Sequence, residues 1–234
     1  PQVKGVVLSD YGSGTITDKL LGQIFAYCQE HNIPTIVDSR YDILRFKTVD
    51  YIKQNDAELS AAIGRDLATE EELVQGGCEL LLKMSAKGAL ITRGEDGMSL
   101  FQIISPQEAA DYVKSQEASG SVDAGQFREG LTVKLVVKRQ TGRLSVVQEL
   151  ISYQDRDILV SHIPVTDKSE VYDVSGAGDT CVATVILGLA AGLEPLLACQ
   201  LSNEASGIAV RKMGTSVVYA RELEARFRQL GYEA

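Results

Sequence analysis

Apolar and polar positions follow two alternating periods along this chain. Residues 3–9 form a β-branched run that predicts an interior strand. Across residues 17–31, Leu20, Leu21, Ile24, Phe25 and Cys28 recur at helical spacing behind Thr17, a residue suited to cap a helix. Pro34 then opens a second strand at 35–37, so the start reads as strand, helix, strand. Residues 51–55 predict a third strand. Asn55 and Glu58 behind it have the spacing of a capping box. Residues 69–84 predict a helix with an acidic first turn, interrupted near Gly76 and Gly77 because glycine weakens a helix interior. Residues 88–92 and 98–101 predict strands joined through Asp96-Gly97, a hairpin signal.

The rhythm changes over residues 105–160. A polar helix at 106–116 leads to a Ser/Gly/Ala stretch at 118–125 that reads as flexible. Two alternating runs, 131–138 and 144–152, follow as a hairpin about 139–143. We read 105–160 as an inserted helix and β element, with residues 1–104 and 161–234 forming the core. Covering a substrate, forming a homodimer surface, or neither are all open to the insert. Residues 170–172 read as extended. Residues 181–191 read as a buried helix on which Ala183, Ile186, Leu187 and Ala190 repeat. Glu194-Pro195 starts another helix, reaching about residue 212, and 220–232 predicts a last amphipathic one.

Composition narrows the class. The chain has 234 residues, 44% hydrophobic and 24% charged, enough for one α/β domain with a sizeable core. A net charge of −9 argues against nucleic acid or an anionic membrane as partner. No apolar run is long enough to span a bilayer and no signal-peptide pattern opens the chain. Cys28, Cys78, Cys181 and Cys199 lack CxxC spacing and read as reduced core residues of a cytoplasmic protein. His31 and His162 have no spacing that suggests a role.

The candidate chemistry centres on Asp173-Val174-Ser175-Gly176-Ala177-Gly178-Asp179. Glycines ahead of a helix allow close backbone approach to a ligand. The first N–H groups of a helix lack internal partners and sit at the positive end of its dipole. Gly176, Ala177 and Gly178 therefore read as an anion cradle suited to a phosphoryl group. Asp179 fits beside it as a base that takes a proton from an attacking hydroxyl. An Asp in a first helical turn is also a favourable N-terminal charge with no chemistry attached. Asp10 and Asp38 follow strands, where ligands gather in open α/β sheets, although Asp10 reads equally as a turn residue and Asp38 as a surface acid.

In order along the chain, Leu8-Ser9-Asp10-Tyr11-Gly12, Val37-Asp38-Ser39-Arg40, Gln54-Asn55-Asp56-Ala57-Glu58, Thr92-Arg93-Gly94-Glu95-Asp96-Gly97, the Asp179 motif, Asn203 onward and Gly214-Thr215-Ser216 resemble the ribokinase-like (PfkB) carbohydrate kinases. Within them the chain is most similar to the heptose-phosphate kinase branch. The resemblance implies a three-layer, Rossmann-like α/β fold with a mostly parallel sheet. It implies ATP-dependent phosphorylation of a sugar or sugar phosphate, with Asp179 as base. Asp10 and Gly12 would border the sugar. Thr92, Gly94, Gly97, Asn203 and Gly207 would line the nucleotide. Asn55 and Glu58 belong to the family's Asn-x-x-Glu motif, and Glu58, with Asp38, would support Mg²⁺ through water. A monovalent cation would lie between the loops near Asp173 and Gly214. The family branch carries Lys where this chain has Ser13, and a further segment ahead of the Pro1 position is expected from the same resemblance. A non-catalytic, nucleotide-binding homologue is the alternative. An α/β-hydrolase is disfavoured by the lack of a G-x-S-x-G elbow.

Overall fold

The computed structural model describes residues 3–117, 123–124, 127–128, 130–141, 144–168 and 171–231. Parts of the expected flexible stretch at 118–125, the hairpin tip at 142–143 and Glu170 of the expected extended run lie outside these residues. Residues 171–174 carry no strand.

One sheet of ten strands organises the described residues. β1 (Val6–Asp10), β2 (Thr35–Ser39), β3 (Tyr51–Asn55) and β4 (Gly88–Thr92) lie side by side and parallel. β5 (Met98–Ile104) turns back against β4. Beyond it come β10 (Arg156–Ile163), β9 (Leu144–Tyr153) and β8 (Leu131–Thr141), all antiparallel. The two-residue β6 (Asp123–Ala124) and β7 (Phe127–Arg128) pair with β8. Parallel neighbours need crossovers. α1 (Asp18–Glu30) links β1 to β2, while α2 (Asp56–Ile63) and α3 (Glu70–Met84) link β3 to β4. α4 (Pro106–Glu117), α5 (Ala177–Ala190), α6 (Pro195–Ala209) and α7 (Ala220–Gln229) complete the helices.

Successive strand residues face opposite sides, and both sides are buried. Val37, Ala89, Ile91 and Phe101 share one core with Leu21 of α1, Leu59 of α2 and Val74, Cys78 and Leu81 of α3. Ile36, Leu90 and Leu100 share another with Cys181, Val182, Val185 and Ile186 of α5 and Cys199 of α6. Helix, sheet and helix thus make three layers, as the resemblance implied. The segment read as an insert lengthens this sheet. Leu131, Val133 and Ile151 join the α3-side core, and α4 covers Leu135, Val137 and Leu150 through Ala109.

Two expectations need correction. α3 runs unbroken through Gly76 and Gly77. A Cβ on Gly77 would come within 2.3 Å of the Phe101 ring, and one on Gly76 within 2.5 Å of Ile63. Glycine in a helix costs about 1 kcal/mol, whereas burying a side chain such as Phe101 yields about 2–3 kcal/mol, so packing wins. α5 is rotated from the expected phase. Its buried residues include Cys181, Val182, Val185 and Ile186, while Leu187 is 69% exposed. Residues 181–191 are apolar almost all round, so periodicity could not fix the phase. The contact with α6 does, where Ser202 Oγ donates to the Cys181 carbonyl at 3.1 Å.

Candidate active site

The turn before α5 is shaped by one glycine and one carboxylate. Gly176 caps the helix in the left-handed region, with φ of 78°. A Cβ there would lie 3.1 Å from Thr215. Asp173 accepts the Ser175 N–H at 2.8 Å and the Gly214 N–H at 3.1 Å, tying this loop to the turn at 214–216. The Ser175 bond, foremost, holds the Asp173 carboxyl below its ordinary range. Of the three residues expected to cradle an anion, Ala177 has its N–H on the Val174 carbonyl at 3.2 Å. The N–H groups of Gly178 and Asp179 belong to the first helical turn, which has no acceptors within the helix.

Asp179 stands at the surface of a cleft of about 660 Å³. The Tyr11 hydroxyl donates to its Oδ1 at 3.4 Å, and the nearby Asp179 charge raises the Tyr11 pKa. Asp10, Asp38, Arg40, Asn55 and Glu58 line the same cleft. Asp10 is buried and committed to the fold. It accepts the Gly12 N–H and the Ser39 hydroxyl, each at 3.1 Å, and so fixes the loop after β1 against β2. Gly12 has φ of 71°, and Tyr41 packs against it so closely that a Cβ would lie 2.9 Å from the ring. Asn55 and Glu58 form both bonds of a capping box, at 2.7 and 2.8 Å. Asp38 has its Oδ2 on the ammonium of Lys53 at 2.9 Å.

A second cleft, of about 440 Å³, brings together Thr92, Gly94, Gly97, Asn203 and Gly207. Gly97 has φ of 86°, and a Cβ on it would strike the Ile163 carbonyl. Arg93 forks onto Glu70 of α3 and anchors this turn. Asn203 is buried and donates to the Pro164 carbonyl at 2.8 Å rather than facing solvent. Beneath it lies a network that sequence reasoning missed. Glu204, 3% exposed, accepts the Thr166 hydroxyl at 2.6 Å and the Arg226 Nε at 2.7 Å. Arg226 comes from α7, so the last helix braces this wall. The two clefts share Val174 and Gly178. Lys53 was also missed, and it lines the Asp179 cleft. Its signal was a single charge in the middle of a five-residue strand.

The profile of the pfkB family carbohydrate kinases matches residues 2–123 and 150–220. The chain is a member of the pfkB carbohydrate kinase family. The internal unmatched stretch, 124–149, is shorter than the 105–160 read as an insert and falls within it. Among curated relatives of this pfkB chain is the bifunctional protein HldE of Rhodospirillum rubrum, 30% identical over 228 residues, 97% of this chain and 35% of the relative. HldE of Hyphomonas neptunium is 31% identical over 232 residues, covering 99% and 37%. The chain thus spans about a third of the length of these relatives. Among solved structures, Arabidopsis thaliana ribokinase complexed with ribose and ATP matches with a TM-score of 0.61 at 17% identity, covering 98% of this chain and 56% of that one. Escherichia coli phosphofructokinase-2 in complex with potassium matches with a TM-score of 0.59 at 17% identity, covering 97% and 57%. These likenesses establish the ribokinase-like fold.

Proposed function

We propose that this pfkB-family chain transfers the γ-phosphoryl group of ATP to a hydroxyl of a sugar or sugar phosphate, with a heptose phosphate as the favoured acceptor. One observation carries the reading: Asp179 lines one cleft and directly follows Gly178, where a second cleft of unlike chemistry meets the first. The Thr92 cleft takes the nucleotide, with the adenine end against Asn203 and Gly207 and the phosphates directed to the start of α5. The Asp179 cleft takes the acceptor, bordered by the loop that Asp10 and Gly12 shape.

The acceptor oxygen bonds to the γ-phosphorus while the bond from that phosphorus to the β,γ-bridging oxygen breaks. ADP keeps the electron pair, and the hydroxyl proton passes to an Asp179 carboxylate oxygen. Positioning and charge neutralisation are the main demands of such a transfer. Among the described residues, no group of three His, Cys, Asp or Glu side chains forms a metal cage. That suits Mg²⁺, which keeps several waters and binds largely to phosphate oxygens. When bound, Mg²⁺ neutralises charge on the triphosphate. Glu58, with one oxygen in the capping box, would hold it through water. On the resemblance, we place a monovalent cation between the loops that Asp173 ties together.

The test is ATP-dependent phosphate transfer to a panel of sugars and sugar phosphates, with Asp179→Asn alongside. The variant is expected to lose about 10²–10⁴ in turnover while keeping its affinity for ATP. Near-normal turnover would remove Asp179 as the base. Intact ATP binding with no acceptor in the panel would favour a nucleotide-binding homologue without transfer activity.

A further inference from the structure

Lys53 is the middle residue of β3 and is only 5% exposed. Lysine is rarely so buried unless paired. Its partner is Asp38, which faces it across the ladder between β2 and β3. Burial, the largest single influence, would lower the lysine pKa, but the Asp38 charge and hydrogen bond, joined by the Glu58 charge, together hold the ammonium above its ordinary value. The side chain is therefore a fixed positive charge.

Its position matters more than its charge. An ammonium has three protons to donate, and among the described residues Asp38 is the protein acceptor of this one. Its open side faces the start of α5. A Cβ built on Gly178 would lie 3.0 Å from Lys53 Nζ and 4.0 Å from Asp38 Oδ2. Glycine thus lets the helix N-terminus approach the ammonium more closely than a residue with a side chain would. Gly178 is also one of the two residues that both clefts share. A Lys–Asp pair serving only the fold could be replaced by apolar side chains at little cost. Here the pair opens onto the place where phosphate must cross.

We propose that Lys53 is a catalytic residue whose ammonium, aimed by Asp38, contacts the terminal phosphoryl group beside Gly178. It forms no covalent bond. It offsets negative charge on the transferred group, and Asp38 is its positioning residue. The proposal rests on the kinase reading of the same site, and it makes Lys53 the group that distinguishes a triphosphate from a diphosphate.

Calorimetry with ADP and with a β,γ-imido ATP analogue tests this without any acceptor sugar. The unmodified chain is expected to bind the analogue more tightly than ADP. Lys53→Met should weaken analogue binding by about 10–100-fold, the range for a hydrogen bond to a charged group. Its ADP affinity should change by less than about twofold, which also reports that the Thr92 cleft has folded. Lys53→Gln, which keeps a donor without the charge, should behave like Lys53→Met. Retention of the triphosphate preference in both variants would overturn the proposal. Equal loss of both ligands would overturn it too, since a purely structural lysine would act that way. A preference lost in Lys53→Met, in a chain that phosphorylates no sugar of the panel, supports Lys53 and sinks only the acceptor assignment.

Discussion

The Thr92 cleft and the Asp179 cleft share two residues and differ in nearly everything else. The first is walled by Met98, Val165, Val174, Cys181 and Val210, and its polar wall is a closed network. Glu204, Thr166 and Arg226 bond to one another, and Asn203 holds the chain at Pro164. The second cleft is wider and carries its charge in the open, with Tyr11 and Tyr41 59% and 73% exposed at its rim. Its fixed groups, Asp10 and Lys53, lie on the sheet side alone. One cleft is therefore shaped before any ligand arrives, and the other offers a reactive floor with a loose rim. Preorganisation costs least at binding when the wall is already braced, so the two sides should respond differently to damage.

The largest expected difference comes from Arg226→Met. This change strands the buried Glu204 carboxylate and should cost about 3 kcal/mol of stability, near the low end for breaking a buried pair because Arg226 keeps some exposure. Denaturant melts should show the loss, and ATP affinity should fall with it. A variant as stable as its parent would mean that the Thr92 wall does not depend on α7. A smaller effect concerns the thiols. Burial pushes Cys78 up to about 12 and Cys199 well above its ordinary value, and it also raises Cys28 and Cys181. The thiolate is the reactive form, so at pH 8 the folded chain should resist a thiol reagent at all four positions until denatured. Fast labelling of Cys181 would show the Thr92 wall to be open after all. The smallest effect is Tyr11→Phe. Its hydrogen bond to Asp179 is long and exposed, so the acceptor KM should move by no more than about threefold. A tenfold change would make Tyr11 part of acceptor recognition and the rim less loose than its exposure implies.

The same contrast governs what could be read from residues alone. Thr92 and Asn203 were singled out through the family resemblance alone, whereas the turns at Gly97 and Gly176 and the start of α5 were legible because glycine turns and helix starts are local, short-range features. Strands β1 to β5 were legible for the same reason. Lys53 was not, because in Tyr51-Ile52-Lys53-Gln54-Asn55 it reads as the first of three polar positions at the end of a strand. Its meaning depends on Asp38 from the next strand and on Gly178 from a helix far along the chain. Glu204 and Arg226 read as charges on two separate helices until α6 and α7 meet. Gly76 and Gly77 misled in the opposite direction, since the Ile63 side chain and the Phe101 ring that require them come from α2 and β5. Long-range partners, more than residue type, separate what was read from what was missed.

The ladder between β5 and β10 has a further consequence. Ile104, where the chain departs toward α4, stands opposite Asp157, where it returns. Departure and return occupy one rung, at the end of these strands remote from Gly97 and Pro164. Closing an excursion from a single rung becomes harder only with the logarithm of its length. Chain can therefore be added or shed at this rung over evolutionary time while the ligand-facing ends of the same strands keep their places.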